Sequence, residues 1–357
     1  KYAVMTALAL NCTISEYTKF DRKNYPYPDL MKGYQISQYD APIGTNGWLT
    51  VITDGREKRI GIIRVHQEED VAKLNHHTSP AGETYSLVDV NRAGVPLMEI
   101  VSAPDMRSAE EARQYLVMMR SILQYLGVST GNMEEGSFRC DANISIRPQG
   151  VQELPKAKVE VKNMNSFRAV FRALEYEAER QKQVTESGGT ITQETRGWVE
   201  EKGITVSQRS KEQAHDYRYF PEPDLPPLTF VRAWVEEIQA RLPELPEARK
   251  ARFVSQYGLP LYDAQILTSS KALADYFEAC LKGNKRAKTV SNWLLGEFSR
   301  LFKATNSEID STRIKPAQLT ELIDLVENGS LSGSAAKTVF EEMFNTGEPA
   351  NLIITKK

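Results

Sequence analysis

Residues 87–104 read LVDVNRAGVPLMEIVSAP, and one acid, Glu99, stands among Val95, Leu97, Met98, Ile100 and Val101. A carboxylate buried without a partner costs several kcal/mol, so an acid in such a run is expected to be paired, metal-bound or neutralised. A second group of acids, Glu68, Glu69 and Asp70, closes the stretch RVHQEED. Hard divalent cations favour clustered carboxylates, and Mg²⁺ takes one or two of them together with phosphate oxygens and water. Glu69 at a strand end, facing the strand of Glu99, would make such a site; acid runs at strand ends are also commonly solvated, and spacing alone leaves both readings open. His66 is a further candidate ligand or a structural histidine, and His76-His77 sits in a polar stretch expected at the surface.

Cations come in two groups. Lys19, Arg22, Lys23 and Lys32 alternate with Tyr25, Tyr27, Tyr34 and Tyr39 in KFDRKNYPYPDLMKGYQISQYD, a composition that suits phosphate or base contacts as well as an ordinary packed loop. Lys282, Lys285, Arg286 and Lys288 form a compact basic run, KGNKRAK, that could touch RNA phosphates or simply be solvated. Neither a Walker A loop nor a GxGxxG fingerprint is present. Cys12, Cys140 and Cys280 form no CxxC pair, which points to reduced thiols, and Cys140 alternates with apolar residues as packing does.

These residues need elements to position them. The 357 residues suffice for two or three domains, with 41% hydrophobic and 26% charged residues and a net charge of −2. That balance argues against coating by a polyanion, though not against a local basic patch. No apolar run approaches the roughly 20 residues that span a bilayer, so no membrane partner is expected. The opening KYAVMTALALNC reads as the interior of a helix, and a preceding segment is expected.

Asp54-Gly55 between two β-rich arms predicts a tight hairpin. In its second arm Ile60, Ile62, Arg64, His66 and Glu68 share one face, and Glu69 points the other way. Ser108 and Glu111 suggest a capping box before a helix with a core stripe of Ala112, Tyr115, Leu116, Met119, Ile122, Leu123 and Leu126, ended by Gly127. Two half-polar strands follow. Arg139, Asp141, Asn143, Ser145 and Arg147 face outward on the first, and Lys158, Glu160 and Lys162 on the second. An antiparallel sheet with one wet face results, either a solvated surface or the floor of an open site. A helix from about 166 to 186 runs into Gly188-Gly189. HDYRYFPEPDLPPL, with four prolines in fourteen residues, predicts a rigid extended connector. Beyond it the patterns are helical. The expected fold is α+β: a cradle-like domain over 1–228 with an antiparallel sheet, then an all-helical domain over 229–357.

The run LVDVNRAGVPLMEIVSAP resembles the signature of the GatB/GatE family, the B subunits of aspartyl/glutamyl-tRNA(Asn/Gln) amidotransferases. DRKNYPYPD, KGYQISQYD, RIGIIRVHQEED, MEEGSFRCDANIS and DYRYFPEPDLPPL are similar to further blocks of that family, in the same order along nearly the whole chain. The resemblance implies a cradle-shaped domain followed by a helical domain and a tail domain. It also implies two partners, the amidase subunit GatA and the small subunit GatC, and a misacylated tRNA as substrate. The implied reaction phosphorylates the misacylated carboxylate with ATP and Mg²⁺ and amidates it with ammonia. Glu69 and Glu99 match the carboxylates that hold Mg²⁺; Lys23, Tyr25 and Lys32 fall in blocks lining the ammonia path and kinase pocket. Arg139, Asp141, Asn143, Lys162 and Asn163 would bind substrate or ATP, and the basic run at 282–288 would bind tRNA. Reduced thiols point to a cytoplasmic or organelle-matrix protein. Two family features are not matched here, an opening GLEVH strand that completes the metal shell and the tail domain. The unmatched opening strand and the basic helical half favour a second expectation, a non-catalytic scaffold that holds tRNA.

Overall fold

The computed structural model describes residues 1–210, 217–282, 286–305, 307 and 309–356. It divides into two compact units, Lys1–Leu242 and Pro243–Lys357. The first opens with α1 (Tyr2–Ala9), an apolar helix that buries Ala3, Val4, Ala7 and Ala9. Short strands β1 (Thr13–Ile14), β2 (Tyr17–Thr18), β3 (Asp21–Asn24) and β4 (Tyr34–Ser37) follow. The long arms β5 (Gly44–Thr53) and β6 (Arg56–Glu69) form the expected hairpin. Its turn residues take left-handed backbone, Asp54 at φ 51° and Gly55 at φ 72°, the pair that matches the twist of the arms. Gly55→Ala should therefore cost about 1 kcal/mol in urea unfolding, because a Cβ penalises that φ. A separate hairpin, β7 (Lys73–Thr78) and β8 (Thr84–Asp89), precedes β9 (Pro96–Ser102). β9 lies at the edge of a sheet ordered β1-β5-β6-β9, with a register shift between Ile62 and Arg64 where it meets β6.

Helix α2 (Ala109–Tyr125) starts where Ser108 Oγ accepts from the Glu111 amide. The return bond of a capping box is not made to Ser108. The Glu111 carboxylate instead accepts from the Arg107 amide and from Lys58. Tyr115, Leu116, Met119, Ile122, Leu123 and Leu126 are buried as their spacing requires, and Gly127 leaves the helix at φ 65°. Next come β10 (Ala142–Ile144), β11 (Val159–Lys162), α3 (Phe167–Glu186), β12 (Glu194–Val199) and β13 (Ile204–Ser210). Their sheet runs β10-β11-β12-β13. One pair departs from the antiparallel expectation: β11 and β12 are parallel, because α3 carries the chain back across the sheet. Val159 and Val161 are fully buried, while Glu160 and Lys162 point to the wet face.

The proline-rich stretch is not a free connector. β14 (Phe220–Pro221) pairs with β3 and β15 (Leu228–Thr229) with β2. Proline is tolerated at such a sheet edge, where its missing N–H removes no ladder bond. Helix α4 (Arg232–Ala240) contacts α1, Ile238 joining Ala3, Val4 and Ile43, so the first unit extends past residue 228 to Leu242.

The second unit is helical: α5 (Pro246–Tyr257), α6 (Leu261–Leu267), α7 (Lys271–Leu281), and α8 (Ala287–Trp293), which runs through a π-helical turn at Leu294–Phe298 into α9 (Ser299–Thr305). After a 3₁₀ turn at Ile309–Ser311 come α10 (Pro316–Glu327), α11 (Gly333–Thr346) and α12 (Ala350–Thr355). Phe253, Phe277, Phe298 and Phe340 are fully buried at its centre, and the Phe298 and Phe340 rings meet edge to face at 4.7 Å. Among the described residues no helix is long and apolar enough to cross a membrane.

Candidate active site

The first unit carries a broad cleft of about 3370 Å³, walled by β9, the start of α2, the 136–155 segment and the wet face of β11. Lys23, Tyr25, Glu99, Arg139, Asp141, Asn143, Lys162 and Asn163 all line it. On β6 and β9 the register places His66 directly opposite Glu99, and Glu68 lies two residues along on the same face. His66 Nε2 stands 3.8 Å from Glu68 Oε2 and 3.9 Å from Glu99 Oε2. Potential ligand atoms of these three residues lie within 4.8 Å of one another.

This grouping corrects the pairing of Glu69 with Glu99. The pleat turns Glu69 to the opposite face, where its Oε1 accepts from the Ile36 amide at 2.9 Å and from Lys32 Nζ at 2.6 Å. Glu68 replaces it beside Glu99. Lys32 is thereby committed to Glu69, packed over the Tyr34 ring, and neither Lys32 nor Glu69 lines the cleft. Glu99 is also not buried: its side chain is 47% exposed, since β9 is an edge strand that opens on the cleft. The apolar residues around it deceived, for Val95 and Pro96 are exposed as well.

The buried member is Glu68, 8% exposed, which also accepts from Ser37 Oγ. Burial pushes its carboxyl up, but His66 and Lys23 outweigh that and hold it below the usual range. His66 is 2% exposed, and its Nδ1 has no hydrogen-bond partner among the described residues. The donor set, two carboxylates and an imidazole, suits a divalent cation.

Lys23 Nζ sits 5.0 Å over the Tyr217 ring and 5.8 Å over that of Tyr25, and the two rings meet edge to face at 5.6 Å. Burial, with Asp29 adding, raises the Tyr25 phenol well above its ordinary value. Tyr219 continues the aromatic wall, edge-on to Tyr217 and stacked on Tyr39 at 4.5 Å; burial pushes its phenol up to about 12. Across the cleft Lys162 Nζ binds Asp141 at 2.7 Å and Glu160 at 3.4 Å. Burial works against its charge, yet these acids hold its pKa above the lysine norm. Asn163 adopts φ 65°, and beside it Gly197 leaves room that a Cβ would deny to Gln208 and Asn163. Arg139 reaches Asp70, as does Arg92. Burial pushes the Cys140 thiol up to about 12, which fits packing better than nucleophilic chemistry.

In the helical unit, Lys288 binds Asp263 at 2.6 Å, and Arg286 binds Glu327 at 2.9 Å as well as Asp324. Half of the expected basic run is thus neutralised by acids of α6 and α10. Lys285 lies outside the described residues, and Lys282 is exposed at the end of α7. The residues that sequence reasoning passed over are Arg92, Tyr217 and Tyr219. The β6 alternation already put His66 with Glu68, and the cross-strand register was the missing information.

Comparison with known proteins shows the family. Residues 1–236 match the GatB/GatE catalytic domain, and residues 275–357 match the GatB domain. A Carboxydothermus hydrogenoformans protein, named as the B subunit of aspartyl/glutamyl-tRNA(Asn/Gln) amidotransferase, is 57% identical over 356 residues, covering 100% of this chain and 74% of the relative. A Dehalococcoides mccartyi protein of the same name is 58% identical over 367 residues, with the same coverage. The cleft with its acid–imidazole cluster lies wholly within the segment matched to the catalytic domain, and the chain belongs to the GatB/GatE family of amidotransferase B subunits.

Proposed function

We propose that the protein is the B subunit of a cytoplasmic tRNA-dependent amidotransferase that works with an amidase subunit, GatA, and a small subunit, GatC. It binds Glu-tRNA(Gln) or Asp-tRNA(Asn) and phosphorylates the misacylated side-chain carboxylate with ATP. The carboxylate oxygen takes the γ-phosphoryl group and ADP leaves; ammonia from the amidase then attacks the acyl carbon, expelling phosphate and giving up a proton. The observation that carries this reading is the convergence of His66, Glu68 and Glu99, whose two carboxylates line the open cleft with the buried imidazole behind them.

Glu68 and Glu99, with His66, would hold Mg²⁺. When bound, that cation supplies neutralisation of phosphate and carboxylate charge. The chain's own residues do the rest. Lys23, one flank of Glu68, brings a positive charge to the metal side of the cleft. Lys162, anchored by Asp141 and Glu160, brings another to the floor. Both offset the negative charge that gathers as nucleotide and carboxylate approach. Tyr25 and Tyr217, backed by Tyr219, form a wall that limits water, which would otherwise hydrolyse an acyl phosphate.

Glu99→Gln, introduced into the full-length protein within the complete complex, tests the reading. ATP-dependent amidation of Glu-tRNA(Gln) should fall on the order of 10²-fold, with tRNA binding retained. Unaltered amidation would remove the metal-side assignment, and tRNA binding without any ATP turnover in the wild-type complex would favour the scaffold instead. The ion pairing of Arg286 and Lys288 weighs against that second reading.

A further inference from the structure

Asp70 is 4% exposed and carries two arginines on its two oxygens: Arg139 Nη2 at 2.6 Å from Oδ1 and Arg92 Nη2 at 3.0 Å from Oδ2. A buried aspartate is neutralised by one guanidinium. The second leaves a net positive charge, and both side chains are about half exposed, 51% and 48%, on the wall of the cleft. Holding two cations on one carboxylate costs repulsion that an approaching anion would relieve.

The pair is also held in place. Arg92 stands on a tight turn closed by Val95 N to Arg92 O, Gly94 N to Asp70 O and Asp70 N to Val95 O. Arg92 Nη2 donates in addition to Gly136 O, and a Cβ at Gly136 would sit 2.9 Å from Arg92 Nη1. Each guanidinium has five N–H donors, so most remain available to a ligand. Along β6 and its continuation, His66, Glu68 and Asp70 follow at two-residue steps, ~7 Å apiece. The arginine pair is therefore the next station after the metal-ligand set on the same side of the chain.

We propose that Arg92 and Arg139, fixed side by side by Asp70, form the clamp that grips the phosphoryl oxygens of the nucleotide. This rests on the phosphorylation reading above. Planar forks suit such oxygens better than point charges do.

The test uses the full-length protein in the complete complex. Amidation rates are measured against MgATP at saturating Glu-tRNA(Gln), then against tRNA at saturating MgATP, with inorganic phosphate as product inhibitor. Arg92→Gln and Arg139→Gln should each raise KM for ATP about tenfold or more, weaken inhibition by phosphate and leave KM for tRNA unchanged. If a Gln variant does not assemble, the Lys variant, which keeps the ion pair, should raise KM for ATP several-fold through loss of the fork. An unmoved ATP KM in assembled variants, or a rise confined to tRNA, overturns the clamp. Amidation by the wild type without ATP overturns the parent reading instead.

Discussion

Glu68→Gln should lower ATP-dependent amidation by roughly 10³-fold, while Glu69→Gln should leave turnover within a few-fold of wild type. The two residues are neighbours of identical chemistry, and the pleat alone separates them. Glu68 is buried beside His66 and kept ionised by His66 and Lys23. An amide there removes a donor that water cannot easily replace. Its effect should exceed that of Glu99→Gln, because the exposed Glu99 position can be filled by solvent. Glu69→Gln loses a bond to Lys32 on the far face, and Lys32 is itself 44% exposed, so little should change. Single-turnover phosphorylation over a Mg²⁺ titration reads the difference. Glu68→Gln should need far more Mg²⁺ for whatever rate remains. A severe loss in Glu69→Gln with a mild one in Glu68→Gln would restore the pairing that the sequence alone suggested.

The second large effect concerns stability. Glu177 on α3 is fully buried and accepts from Arg180, Gln181 and Thr205, with Arg196 Nε at 3.5 Å. Removing one member of such a network strands the others, so Glu177→Ala should destabilise the first unit by about 3–5 kcal/mol. Hydrogen exchange across β12 and β13, which this network ties to α3, is the direct readout. The pH dependence has a definite sign. Burial raises the Glu177 carboxyl, but Arg180, Gln181 and Thr205 more than offset it and hold its pKa below the free value. Its contribution is complete above the unfolded pKa of about 4.3 and disappears as pH falls through the lower folded value. In acid the wild type and Glu177→Ala should therefore converge, whereas at neutral pH they should differ most.

Much of this architecture was legible where signals are local. Asp54-Gly55 announced its hairpin, Ser108 and Ser166 their helix starts, and the 112–126 stripe its buried face, because each depends on residues a few positions apart. Family membership was legible from ordered sequence blocks. The errors share a cause, a partner distant in the chain. Which glutamate faces Glu99 depends on the β6–β9 register and its shift between Ile62 and Arg64. The exposure of Glu99 depends on β9 being an edge. The parallel β11–β12 pair depends on where α3 returns the chain, and the neutrality of Arg286 and Lys288 on Asp324, Glu327 and Asp263. Periodicity carries none of this. Nothing in the sequence singled out Arg92, because its importance lies in sharing Asp70 with Arg139.

The pairing of β14 with β3 has a consequence for synthesis. Arg22 makes a two-pronged bond with Glu222, 200 positions later, and Phe220 aligns with Arg22 across the ladder. At about 5–20 residues per second, a ribosome needs on the order of ten to forty seconds to emit the intervening chain. Throughout that time the outer rim of β3 lacks its mate and offers unclaimed amides and carbonyls to any passing strand. The nascent polypeptide is thus most vulnerable to misassociation late in translation, and arrival of the 220–229 stretch is the event that seals it.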